Sequence, residues 1–347
     1  APERRPLAIG IWGGISGLGV AVGPLVGGAV MEGWSWQAIF WINVPVGILA
    51  IPFVLAVLPN AFGARLRLDI PGVLLAGLGV LGIVYGIVRG NDAGWDSFEV
   101  LGALIGGAAL LAIFLVWESR TSSPLLPLRL FRDRSFSIAN VVGFGFSFGM
   151  FGAVFILIQF LQVVQGASPL EAAIQTTPWT LAPMIIAPIA GIIMPRVGTR
   201  LLIVTGLVLQ AAGLLGLAAT MSADVPYTTM LPFFIAAGIG MSLVFAPSST
   251  AVLANLKPHD TAKGSGTNST VREIGVALGI AVLTAVFTGA GGELTPTGYV
   301  DAAIPAVAVG GAVLLATAVV ALFLPAGRAR GTETGSIQVQ EHELIPA

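Results

Sequence analysis

The sequence predicts an all-α membrane protein, a bundle of about ten helices that each cross the bilayer. Three observations predict it. Of 347 residues 56% are hydrophobic and 10% charged, against roughly a quarter charged in an ordinary soluble domain. Ten apolar segments approach or exceed the roughly 20 residues needed to cross about 30 Å of hydrocarbon, where each backbone polar group must be satisfied within the segment. Basic residues collect in alternate connecting loops, the asymmetry that orients membrane helices.

Taken in order, the first span covers 7–31, after Arg4 and Arg5, and ends beside Glu32. The chain opens Ala1-Pro2-Glu3 with no signal-peptide pattern and reads as an interrupted loop. The second span, 38–58, has Trp34, Trp36 and Trp41 about its start and Arg65 and Arg67 beyond its end. The third, 70–88, runs to Arg89 with Asp92, Trp95 and Asp96 following; the fourth, 100–117, ends at Trp117 before Arg120, Arg129, Arg132 and Arg134. Tryptophans at span ends suit the headgroup layer and read as anchors in preference to ligand contacts. Spans five and six, 137–163 and 172–195, lead to Arg196 and Arg200. Spans seven and eight, 201–221 and 229–253, enclose Asp224 and lead to Lys257 and Lys263; spans nine and ten, 269–288 and 302–324, enclose Glu293 and Asp301 and lead to Arg328 and Arg330. Fourteen of the 16 basic residues thus fall on one side, which is cytoplasmic and receives both ends of the chain. The polar stretch 325–347 lacks a periodic apolar face and reads as disordered.

A net charge of −1 leaves no basic field for nucleic acid. There is no cysteine, and the two histidines, His259 and His342, lie in a loop and in the tail. Metal ligation and thiolate chemistry lack their ligands, and no convergent acid, base and nucleophile points to an enzyme. The expected cofactor set is empty.

In the first span Gly19, Gly23 and Gly27 stand four apart, followed by Gly28, with Pro24 inside the run. Such a stripe lets a neighbouring backbone approach, and the proline removes one backbone donor. Generic small-residue packing explains the glycines equally well. The pattern resembles the antiporter motif on the fifth helix of major facilitator superfamily exporters. The following WQAIFWINVPVG, residues 36–47, is similar to the start of helix six in the fourteen-helix drug:proton antiporters of the EmrB/QacA type, with Gln37 where arginine is common. FLQVVQGASP, residues 160–169, resembles the end of that family's ninth helix. GIIMPRVGTR, residues 191–200, resembles a degenerate copy of the superfamily's cytoplasmic loop motif through Gly191, Arg196, Gly198 and Arg200, with Pro195 where an acid is usual. The two arginines there also simply follow the positive-inside pattern. The run Gly19 to Gly23 recurs at Gly275 to Gly279, both in spans that leave the cytoplasm, as expected of repeated bundles.

The resemblance implies a two-bundle fold in which these spans are helices five to fourteen, with helices one to four outside this chain. Residues 1–58 would be the last two helices of the first bundle, 59–118 a hairpin between bundles, 119–135 a cytoplasmic loop and 136–324 a complete six-helix second bundle. It implies a monomeric multi-pass protein of a bacterial inner membrane that exchanges protons for small amphipathic or cationic substrates, with the proton gradient as energy source. The family's acidic proton carriers in helices one and four would lie outside the chain. A substrate-specific exporter, such as an antibiotic self-resistance pump, and a non-transporting membrane scaffold are the alternatives.

Polar residues inside spans are expensive and so mark candidate sites. Arg272 and Glu273 fall about a turn inside the ninth span. They suit a proton-responsive carboxylate with its electrostatic tuner, or two side chains snorkelling to the headgroups. Asn140, Gln159, Gln162, Gln210 and Asn268 either face a substrate cavity or cross-link helices at about 0.6 kcal/mol apiece.

Overall fold

The computed structural model describes residues 19, 22–57, 68–257 and 260–325. Among these the only regular structure is helical, and nine helices are long and apolar enough to cross a membrane. In chain order the helices are α1 (22–33), which is not among the nine, α2 (Ala38–Trp41) and α3 (Asn43–Val57), which together make one of them, then α4 (Ile70–Ala93) and α5 (Phe98–Arg120). There follow α6 (Arg134–Val163), α7 (Pro169–Val197), α8 (Thr199–Thr220), α9 (Tyr227–Leu253), α10 (Thr261–Gly289) and α11 (Pro296–Ala321). The expected first span lies largely outside the described residues, as do Arg4, Arg5, Arg65, Arg67, His259 and the stretch 326–347.

Helix starts follow from local side-chain chemistry. Asp69, Ser97, Asp133, Ser168 and Thr295 each accept a hydrogen bond from a backbone N–H in the first turn of the helix they precede, and Ser168 forms a full capping box with Glu171. Pro71, Pro169 and Pro296 stand in first turns, where a missing N–H costs nothing. Gly198 ends α7 and begins α8 at φ 89°, a turn that a side chain would strain.

One helix departs clearly from expectation. The span expected at 269–288 begins instead at Thr261. Residues 261–270 are rich in Thr, Ser, Gly and Asn and so read as loop. They form helix because Thr261 and Thr270 donate their hydroxyls to carbonyls one turn back, while Gly264, Thr267 and Asn268 are buried. Gly264 is pressed against Leu256 and the Phe136 ring of α6. Arg272 and Glu273 therefore lie about three turns into α10, not one.

α6 is the central element. It packs on α10, α11 and α9, while α8 packs on α9 and α11, and α7 on α9. Backbone nearly touches backbone at these crossings. A Cβ at Gly152 would stand 2.7 Å from the Gly279 carbonyl, one at Gly149 2.7 Å from the Gly310 carbonyl, and one at Gly206 2.7 Å from the Gly240 carbonyl. With no hydrophobic drive between helices in lipid, such contact and its dispersion energy hold the bundle together. Tyr299 adds a buried bond from α11, donating to the Ile156 carbonyl of α6 at 2.7 Å. The apolar exterior of α3, without one buried residue, is what a lipid-facing or helix-facing segment requires.

α4 and α5 form a hairpin that packs on α10. Its glycines, Gly79, Gly82 and Gly107, lie against the opposite helix. At one end Asn91 donates to the Ala285 carbonyl and to Thr288 of α10, each at 2.6 Å, and accepts from the Trp95 indole. At the other end Trp117 donates its indole to Asp69 at 2.8 Å. Burial works against ionisation of Asp69, yet the Gly72 N–H and the Trp117 indole hold its carboxyl below the ordinary range. Below α6, Arg129 makes a bidentate pair with the buried Asp260, and Asn255 donates to Asp133.

Candidate functional site

A cavity of about 390 Å³ opens where α1 meets the six-helix unit. Gly19 lines it, and α1 supplies Pro24. α6 supplies Met150, Phe151, Val154, Leu157 and Ile158, residues repeating at three and four positions so that one stripe of the helix faces in. α7 adds Thr176, Trp179 and Thr180, α9 adds Met241 and Phe245, and α10 adds Arg272. The volume lies in the range of small-molecule sites, which are mainly apolar with a few placed polar groups.

Among the described residues Arg272 is the one charged side chain that lines the cavity. Its stem crosses α6 at Gly143, where a Cβ would come within 3.2 Å, so the missing side chain makes room for it. The guanidinium carbon then lies 4.2 Å from the centre of the Phe245 ring, a cation–π contact. Glu273, roughly 100° further round the helix, is exposed and does not line the cavity.

α7 carries four internal prolines, Pro178, Pro183, Pro188 and Pro195. Each lacks an N–H and so releases a carbonyl one turn earlier. Pro183 releases that of Trp179, which lies 2.8 Å from where a Cβ of Gly238 on α9 would stand. Thr176 and Thr180 return their hydroxyls to carbonyls of the same helix. The Trp179 side chain is 2% exposed, and its indole N–H has no partner.

The other residues singled out in the sequence fall into several groups. Asn268 donates to Asn140 at 3.3 Å, and Asn140 to the Phe136 carbonyl at 2.8 Å; the pair is buried between α10 and α6, away from the cavity. Gln210 is fully buried beside Gly240, with both amide atoms unpartnered, and also lies outside the cavity wall. Gln162 is half-buried one turn beyond Ile158 on the same stripe of α6, and Gln159 turns back to the Phe155 carbonyl. Gly191, Arg196 and Arg200 are exposed at the α7–α8 junction, with Gly198 buried between them.

In the glycine run, a Cβ at Gly19, Gly23 or Gly27 would meet nothing within 4 Å among the described residues. Gly28 is the point of close approach: a Cβ there would stand 2.8 Å from the Pro169 carbonyl and 2.9 Å from Leu170 Cα. Glu32 reinforces it by accepting from Ser168 at 2.9 Å. At the related run on α10, by contrast, Gly275 and Gly279 lie directly on the α6 backbone at Phe144 and Phe148.

Trp179 and Phe245 escaped the sequence reading. Trp179 carried a usable signal, since it stands well inside its span and so cannot serve the headgroup layer. Phe245 carried none, as aromatic residues in apolar helices are ordinary.

The Major Facilitator Superfamily profile matches residues 1–280 and, in a second overlapping alignment, 139–346. The chain belongs to the Major Facilitator Superfamily. Two overlapping matches suit the superfamily's repeated architecture, in which parallel halves are related by an axis along the membrane normal. Among superfamily relatives, the chain is 30% identical over 344 residues to the tetracenomycin C resistance and export protein of Streptomyces glaucescens, covering 98% of this chain and 64% of that one. It is 33% identical over 359 residues to the puromycin resistance protein of Streptomyces alboniger, covering 97% and 70%, and 31% identical over 298 residues to the multidrug transporter protein MdtP of Bacillus subtilis, covering 84% and 54%. The chain thus spans between about half and about seven-tenths of these relatives' lengths. Among the described residues no group of three or more His, Asp or Glu side chains could hold a metal ion.

Proposed function

We propose that this chain is part of a secondary active exporter that moves drug-like, amphipathic small molecules out of the cell in exchange for protons. The observation that carries the reading is the mid-bundle cavity, apolar but for Arg272, with α1 on one side and α6, α7, α9 and α10 on the other. A site at the junction of two bundles is where alternating access exposes a substrate to each side in turn. The names of the relatives, two resistance proteins and a multidrug transporter, support export.

The finer architecture belongs to the same proposal. α1 to α11 correspond to helices five to fourteen of the EmrB/QacA type, with α2 and α3 together forming helix six. Residues 1–58 close the first bundle, 59–118 form the extra hairpin, 119–135 the linking loop, 136–324 the second bundle and 325–347 a polar tail. The alternate-loop placement of basic residues supports cytoplasmic ends in a bacterial inner membrane. Glu273 is the candidate for proton coupling within this chain, and Gly28 the candidate packing point of the antiporter motif. A pump for a single antibiotic is the second reading, supported by the same resistance proteins.

The test is uptake of a fluorescent amphipath into everted membrane vesicles bearing the full-length protein. Uptake that requires an acid interior and collapses with an uncoupler is expected. Uptake indifferent to the uncoupler overturns proton antiport, and no uptake of any of a broad amphipath panel overturns the multidrug reading in favour of the single-antibiotic one.

A further inference from the structure

The polar chemistry of the cavity wall is one-sided. Arg272 follows the start of the 29-residue α10 by eleven positions, which at about 1.5 Å per residue places it about 16 Å along the helix. A guanidinium is donor-only and stays charged. Among the described residues no carboxylate pairs with Arg272, and its contact is the Phe245 ring. Trp179, in the same wall, has a buried indole N–H without a partner, and an indole is likewise donor-only. The Thr176 and Thr180 hydroxyls already give their protons to backbone carbonyls, and among the described residues no Asp or Glu lines the cavity. Among the described residues the wall therefore presents one fixed positive charge and no anion, with the Trp179 indole N–H buried behind it.

An organic cation entering this space would meet a like charge and nothing to neutralise it, a juxtaposition that costs several-fold in affinity at least. An acceptor oxygen would pair with the Arg272 guanidinium, and a flat ring would complete the aromatic and aliphatic wall. We propose that the cavity selects apolar ring compounds bearing an anionic or strongly accepting oxygen, such as a carboxylate, phenolate or ring ketone, and disfavours organic cations. Arg272 is the counter-charge. The inference rests on reading the cavity as a substrate site, and it narrows the expected amphipathic or cationic substrates to the acceptor-bearing class.

The probes share one ring system: 2-naphthoate, the neutral ketone 2-acetonaphthone, and 2-naphthylmethylammonium. Their binding to the full-length protein in lipid nanodiscs is measured by calorimetry, with empty nanodiscs as the partition control. The expected order is carboxylate, ketone, ammonium, with about tenfold between first and last. Arg272→Gln should weaken naphthoate about tenfold without weakening the ammonium, and Arg272→Lys should keep the order. Ammonium binding as tightly as naphthoate in the unaltered protein overturns the proposal without recourse to any variant, as does naphthoate affinity unchanged in a folded Arg272→Gln. Naphthoate binding as expected with no proton-driven export counts against the exporter reading alone.

Discussion

Gly28 offers the sharpest perturbation of the contact between α1 and the six-helix unit. Replacing its hydrogen by a methyl group, Gly28→Ala, places a carbon 2.8 Å from the Pro169 carbonyl and 2.9 Å from Leu170 Cα, where ordinary contact begins near 3.4 Å. Backbone cannot rotate away as a side chain would, so α1 must retreat from α7 by about half an ångström, a gap that forfeits a substantial part of the dispersion well. Overpacking of this kind costs about 1–3 kcal/mol. Charged to the arrangement in which α1 and α7 touch, that cost shifts a two-state equilibrium about 5- to 150-fold toward the separated one.

The chain has no cysteine, so the contact can be read by cross-linking. Glu32 and Ser168 are hydrogen-bonded across it, and a Glu32→Cys, Ser168→Cys pair should be bridged by a short bifunctional thiol reagent. Adding Gly28→Ala should slow that reaction by a factor within the same range. Gly23→Ala, whose methyl meets nothing within 4 Å, should leave it unchanged. Equal rates in the two backgrounds would show that close approach at Gly28 does not govern the contact.

Two further outcomes are expected. The carboxyl of Asp69 is held below its ordinary value, so its stabilisation of the α4–α5 hairpin is complete above about pH 4 and fades as the pH falls through the lower folded value. In a variant keeping Trp117 as its one tryptophan and with Glu118, which adjoins Asp69, replaced by glutamine, emission should hold steady from neutrality to about pH 4 and change below it, and Asp69→Asn should abolish that step. For Asn140 and Asn268, a double-mutant cycle to alanine should return about 0.6 kcal/mol of coupling, and at most about 1.7. Export rates for cavity substrates should change little in the folded variants; a selective change in substrate preference would put the pair in the substrate path.

Spans were legible because the physics that selects them is additive over some twenty residues. An apolar run with no water for its backbone has one solution, and the observed helices start and stop within a few residues of expectation save at three ends. α4 runs on to Ala93 and α11 begins at Pro296, each carrying polar residues past the apolar core of the span. The failure at 261–268 has the same root. A polar helix buried against another helix is stabilised by partners remote in sequence, here Phe136 and Asn140 of α6, and no local pattern records them. The site was less legible. Arg272 could be singled out by its cost in the membrane, but the direction of its side chain depends on Gly143, 129 positions earlier in the chain. Asn140 and Asn268 looked alike as lone polar groups, and only the crossing of α6 and α10 makes them partners. The glycine run showed that one helix face was smooth; which glycine meets a backbone was decided by where α7 begins.

Asn91 has a mechanical consequence. Through its bonds to Ala285 and Thr288 it latches the tip of the α4–α5 hairpin to α10, a helix that α6 grips through glycine contacts. Any tilting of α10 must therefore sweep the hairpin through the lipid as a fin. The drag and bilayer deformation it meets would load one half of the molecule alone, so membrane thickness and viscosity would enter the cost of that tilt.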